Sequence, residues 1–361
     1  MIDLSQTVRG MHNRLRSMLW HSVLSILLNK HQKRISDMEK ARDIVFDIAK
    51  GLGIILVVIG HYIPAGAPKW YVDFIDFIYY FHMPLFFIIA GYFYDRSTRR
   101  TDYLPFVWSK FQRLMIPYFI LSWAIVGTKV GIGRVMPVDH PVTLDALYRV
   151  FYLPEAGYFL WFVYVLFLTF CLAPLFKKGV RLIILSIMAL GLFFWDTAPQ
   201  YFCIRQLCSH LVFFVWGMWV ARSGGLRQAM SRYPLLWAVV TIGLSFVHTN
   251  MQPGVLSTLF LLVLGITGSF MVLSVSAWLS RLAGPVSLGL SRIGVMSMTI
   301  YLFHTWIMGG GKAILTHILS GGNTIEFVLS ALFIIGAGIV GPICLYKWVW
   351  TKNKFTARIF K

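Results

Sequence analysis

A lysine and a histidine stand eleven residues apart in one strongly apolar run, Lys50-GLGIILVVIG-His61. On an α-helix, eleven steps of about 100° bring the two side chains within about 20° of each other, separated by roughly 16 Å of rise. Asp47, three residues earlier, joins the same stripe. Ionisable groups in such a run are costly to place in lipid, and they usually face a polar cavity. A histidine beside a cavity can take a proton and return it near neutral pH. Asp47 has two open roles: neutralising Lys50 while a ligand is absent, or a salt bridge that only stabilises the fold.

The elements that must position these groups follow from composition. The 361 residues are 58% hydrophobic and only 13% charged, with a mean hydropathy of +0.70. Such a chain is expected to be an integral membrane protein rather than a soluble enzyme with a large core. The net charge of +19 does not indicate nucleic acid, because the Lys and Arg residues lie in short connections between apolar runs, where they set topology. Four cysteines in a chain of this length make no disulfide scaffold. The N-terminal apolar core, Val23 to Leu28, is too short for a signal peptide and ends at Asn29-Lys30.

Apolar runs place spans at about 44–63, 76–94, 111–128, 158–176, 180–196, 208–222, 233–248, 254–279, 292–311 and 325–350. Pro64, Pro137, Pro141, Pro234 and Pro253 punctuate the connections. Roughly 26 of the 33 Lys and Arg fall on the side of the N-terminus. The expected fold is an all-α integral membrane bundle of about ten transmembrane helices with both termini cytoplasmic. Residues 1–40 are expected to form a basic amphipathic arm, suited to an anionic lipid surface or, alternatively, to a partner or an acidic cofactor. Residues 41–350 form one transmembrane domain, and 351–361 a basic cytoplasmic tail.

This orientation gives depths. Span one runs outward, so Lys50 lies toward the cytoplasm and His61 toward the exterior. His82 on span two and His304 with Tyr301 on span nine fall in the outer halves. Tyr158 and Trp161 open span four at the outer surface, and Glu155 and Glu326 lie near outer span ends. Trp161 has two readings, an interfacial anchor or a platform for a sugar ring. Three histidines on three spans at similar depth are more than lipid-facing positions explain, although each alone also fits a hydrogen-bonded core residue. No His-x3-His pair or Cys cluster supports a metal. Cys203 and Cys208 fall on the outer side, as two free buried thiols or a pair. On the opposite side, Asp95-Arg96-Ser97-Thr98-Arg99-Arg100, followed by Lys110 and Arg113, reads either as an ordinary positive-inside loop or as an anion site. Arg forks match phosphate geometry. Together, the two sides suggest a phosphorylated donor held inside and chemistry near the outer face.

These residues resemble the membrane-bound acyltransferase family 3. Lys50-x10-His61, preceded by Arg42-Asp43 and Asp47, is similar to its first-span pattern of a basic residue, ten positions and a histidine. "FHMPLFFIIAGYFY" (Phe81 to Tyr94) resembles its second-span signature, and "RSTR" (Arg96 to Arg99) its Arg-x-x-Arg motif. Weaker echoes are "KFQRLMIPYF", "LWFVYVLF" and "SMTIYLFH". The similarity covers roughly residues 41–350 and leans to the fucose 4-O-acetylase-like branch.

The resemblance implies transfer of an acyl group, usually acetyl, from acyl-CoA to a hydroxyl of an extracytoplasmic glycan or glycolipid. It places the protein in a bacterial cytoplasmic membrane. Arg96 and Arg99 would hold CoA phosphates, with Arg100 and Arg113 beside them, and Lys50 would line the channel of the thioester arm. His61 would be the catalytic base or a transient acyl carrier. His82 and His304 would orient His61 or bind the acceptor, with Trp161 and Glu155. No hydrolase-like domain follows the last span, so the membrane domain is expected to complete the transfer itself or pass the acyl group on. The rival is a transporter or flippase of a lipid-linked glycan. It predicts charges along several spans and repeated halves, and neither is evident.

Overall fold

The computed structural model describes residues 44–97, 102–133, 141–154, 157–176, 179–282, 284–315 and 324–352. Every regular element among them is helical. The expected arm at 1–40, nearly all of the expected tail, and Arg99, Arg100 and Glu155 lie outside the described residues.

Helix α1 covers residues 44–60. It is followed by α2 (Lys69–Tyr79), α3 (His82–Ser97), α4 (Tyr103–Lys110), α5 (Ile116–Ile132), the short α6 (Ala146–Arg149), α7 (Trp161–Leu172) and α8 (Val180–Phe193). The second half holds α9 (Ile204–Arg222), α10 (Gly224–Arg232), α11 (Pro234–Thr249), α12 (Val255–Leu282), α13 (Pro285–Val295), α14 (Ser297–Leu315) and α15 (Thr324–Trp348). With no water in the hydrocarbon, backbone groups must pair within each segment, so apolar runs of this length become helices.

Among the described residues, six helices are long and apolar enough to cross a membrane, and up to eight if each of two bent pairs is one span. The protein is therefore a multi-pass membrane protein with six to eight candidate spans, against the ten expected. The difference has two sources. α8, at 14 residues, rises only about 21 Å against a hydrocarbon core of about 30 Å, and α1 is described over residues 44–60 alone. The run expected at 292–311 is also not one rod. It breaks at Met296, and α13 and α14 meet at 79°. α10 and α11 meet at 83°, where Tyr233 precedes Pro234 and leaves helical geometry, as a residue before proline tends to do.

Two close backbone crossings set the positions of the polar groups. At the first, a Cβ on Gly91 would lie 1.9 Å from the Phe214 carbonyl oxygen, and one on Gly217 would lie 2.1 Å from that of Ile88. Only glycine lets α3 and α9 touch there, as in other helix pairs packed through small residues in lipid. At the second, a Cβ on Gly294 of α13 would lie 1.7 Å from the Asp47 carbonyl oxygen, and one on Gly51 would lie 2.2 Å from that of Leu290. This crossing lays the broken pair α13–α14 along α1. Between α4 and α5 the chain makes a π turn, Phe111–Met115. Pro117 has no N–H for the Arg113 carbonyl and its ring would clash with it, so the helix widens there.

Candidate active site

His61 sits one residue beyond α1, with its backbone N–H bonded to the Val57 and Val58 carbonyls at 3.1 and 3.3 Å. The last carbonyls of a helix lack intrahelical donors. Here Tyr71 donates to the Ile59 carbonyl at 3.1 Å and Tyr79 to that of Gly60 at 2.7 Å. Two tyrosines of α2 thus hold the end of α1, and with it the His61 backbone. The Tyr79 ring also lies 4.9 Å from that of His82.

The structure brings His61 and His304 together, with ring centroids 5.0 Å apart. Phe159 closes the group, 6.2 Å from His61 and 5.5 Å from His304. Tyr301 donates its hydroxyl to the Phe159 carbonyl, which ties α14 to the start of α7. His82 begins α3 within electrostatic range of both His61 and His210. His210 of α9 packs 4.8 Å from Trp161 and 5.0 Å from Phe87. Trp161 therefore faces the bundle here, stacked on Phe87.

Hydrogen bonds separate the four histidines. A carbonyl can only accept, so a ring nitrogen beside one must carry the proton. His82 gives Nδ1–H to the Ile78 carbonyl at 3.0 Å, and His210 gives it to that of Gln206 at 2.9 Å. His304 gives it to the carbonyls of Ile300 and Tyr301 at 3.1 and 2.8 Å. His210 and His304 are held by their own helices, and His82 by the last turn of α2. The His61 ring makes no hydrogen bond among the described residues and is partly open. Both of its ring nitrogens are therefore without a partner, whereas His82, His210 and His304 each have Nδ1 engaged. Lys312 of α14 lies near it, within electrostatic range of His61 and with Nζ 5.7 Å from the Tyr62 ring.

At the other end of α1, Lys50 pairs with Asp47 at 2.6 Å, each side chain about a quarter exposed. The ion pair exists as expected, beside the Gly51–Gly294 crossing. At the corresponding end of α3, Arg96 donates to the Tyr92 hydroxyl at 3.2 Å. Buried Asp95 accepts two bonds from Arg222 of α9, at 2.6 and 3.1 Å. A cavity of about 530 Å³ opens here, lined by Arg96, Ala221, Arg222 and Arg227. Arg113 is exposed on the π turn and does not line it. Along α3 the fourteen steps from His82 to Arg96 rise about 21 Å, so the histidines and the arginines occupy opposite ends. Among the described residues, no three His, Cys, Asp or Glu side chains gather as a metal site, and the four cysteines are free.

Sequence reasoning missed His210, Lys312, Arg222, Arg227 and the tyrosines of α2. His210 carried a usable signal, an ionisable residue inside an apolar run. The others show their relevance only through the crossings that bring them in.

From residue 43 to residue 347 the sequence matches a family described as an acyltransferase domain. The chain belongs to acyltransferase family 3. Among curated relatives, nodulation protein NolL of Sinorhizobium fredii is 39% identical over 87 residues, 23% of each chain. Nodulation protein NolL of Mesorhizobium japonicum is 30% identical over 155 residues, 41% of this chain and 39% of that one. The chain thus aligns with 23% to 39% of the length of these relatives. No solved structure matches.

Proposed function

We propose that this acyltransferase moves an acetyl group from cytoplasmic acetyl-CoA to a hydroxyl of an extracytoplasmic glycan or glycolipid, with His61 as general base. The carrying observation is that His61 alone of the four clustered histidines is left without a hydrogen bond, at the end of α1 away from the arginine cavity. An even number of spans over residues 41–350, with both termini cytoplasmic, suits the charge asymmetry of the sequence. It puts the arginine end inside and the histidine end outside, in a bacterial cytoplasmic membrane.

In this scheme Arg96, Arg99, Arg100 and Arg113 attract the donor phosphates. Lys50 leaves Asp47 to follow the donor, and the thioester reaches the histidine end. His61 takes the proton of the acceptor hydroxyl as its oxygen attacks the thioester carbonyl. The tetrahedral intermediate then expels CoA thiolate, which takes the proton back from the imidazolium. Atoms and charge balance with no further reactant. His304 and Phe159 hold the His61 ring in place, and His82, Trp161 and Glu155 meet the acceptor.

The test is transfer of label from acyl-CoA to surface glycan in cells carrying wild type or His61→Ala, at matched membrane levels. Label with wild type alone supports the scheme, and mass analysis then names the acceptor. Equal label in both moves the base to His82 or His304, and no label in either favours a glycan transporter.

A further inference from the structure

The arginine cavity contains more positive charge than the loop motif explains. Arg96 and Arg222 line it from the ends of α3 and α9, and Arg227 enters one turn into α10. Asp95 compensates one of these charges through Arg222. Arg227 has no carboxylate partner among the described residues, and its Nε is buried without a hydrogen-bond partner. A buried donor left unmatched is costly, and more so when it belongs to a charged group. Three guanidinium groups around one cavity repel each other until an anion enters, and phosphate oxygens match the guanidinium fork. The volume, about 530 Å³, lies within the range of small-molecule sites.

We infer that Arg222 and Arg227, which line the cavity with Arg96, bind the phosphate groups of the acyl donor's nucleotide, with Arg227 as a direct partner. This rests on the proposal that the donor is an acyl-CoA, and it assigns the phosphate site to α9 and α10 as well as to the loop after α3. Asp95 holds the Arg222 guanidinium at one edge, so the site is partly organised before the donor arrives. The positive charge of Arg227, which has no carboxylate partner among the described residues, calls for an anionic ligand.

The experiment is calorimetric titration of the purified full chain in detergent with acetyl-CoA. Wild type, Arg227→Gln, Arg227→Lys and, as a control, Arg232→Gln at the exposed end of α10 are compared, after checking that their thermal unfolding agrees. Turnover of S-acetylpantetheine, which carries no phosphate, is measured alongside. The expected result is a loss of acetyl-CoA affinity of roughly tenfold or more in Arg227→Gln, the worth of one charge-assisted hydrogen bond. Arg227→Lys should recover part of it, Arg232→Gln should lose none, and turnover of S-acetylpantetheine should be the same in all four. Equal acetyl-CoA affinity in wild type and Arg227→Gln overturns the inference and leaves the donor proposal standing. If that equality comes with weaker retention of phosphatidylglycerol by Arg227→Gln, the cavity belongs to a lipid headgroup and the inference is again overturned. If wild type binds no acetyl-CoA, the donor proposal itself fails and the inference falls with it.

Discussion

Replacing Gly217 with alanine tests whether the backbone crossing of α3 and α9 builds the arginine cavity. The new methyl carbon would stand 2.1 Å from the Ile88 carbonyl oxygen and 2.9 Å from the Tyr92 nitrogen. Ordinary contact begins at 3.4 Å, so the helices must part by roughly 1.3 Å, a gap that forfeits about half of each contact's attraction. In lipid that attraction is most of what holds two helices together. Overpacking of this kind costs about 1–3 kcal/mol. The same displacement stretches the 3.1 Å bond from Arg222 to Asp95 beyond hydrogen-bonding distance, because Arg222 lies only five residues further along α9. The expected outcome is a lower unfolding midpoint in detergent together with weaker acetyl-CoA binding. Gly191→Ala is the control, since a Cβ there meets nothing within 4 Å. If Gly217→Ala unfolds and binds donor like Gly191→Ala, the crossing does not organise the cavity and the reasoning fails.

Asp95→Asn should destabilise the fold by about 1.5–3 kcal/mol, toward the lower figure because the Arg222 side chain is 32% exposed. Chemical denaturation in detergent measures it, and an unchanged midpoint would deny the pair any structural part. Tyr301→Phe removes the hydroxyl that holds the Phe159 carbonyl, at a stability cost of about 1 kcal/mol. Turnover should fall while donor affinity stays, and kinetics set against titration would expose the opposite pattern. Lys50→Ala should impair turnover several-fold more than Lys69→Ala, since Lys69 pairs with Asp73 on an exposed face. Equal, small effects on the initial rate would remove Lys50 from the donor path.

Much of the site was legible because lipid penalises charge. Lys50, His61, His82 and His304 stand out in apolar runs for that reason alone, and helical spacing predicts that Lys50 and His61 share a face. The pairing of His61 with His304 was expected only as similar depth. Their closeness depends on the Gly51–Gly294 crossing, which the sequence presents as ordinary glycines in apolar surroundings. The break at Met296 was hidden for a related reason: hydrophobicity continues through the bend, and a run of apolar residues carries no signal of direction. Arg222 and Arg227 read as ordinary loop charge. Only the crossing of α3 and α9 at Gly91 and Gly217 brings them beside Arg96. Which histidine is unheld was likewise invisible, since it depends on the carbonyls that each ring meets three or four residues earlier in the chain.

The broken helix has a mechanical consequence. α14 is a lever, with its fulcrum at Met296 beside the Asp47–Lys50 pair and His304 about 12 Å along its arm. Because Gly294 rests directly on the α1 backbone, a shift at that fulcrum of a fraction of an ångström is carried to the tip, where the His304 ring faces His61. The two ends of the protein are therefore joined by a stiff part. In the proposed scheme, a charge rearranged at Lys50 would be felt as a change of angle between two imidazoles.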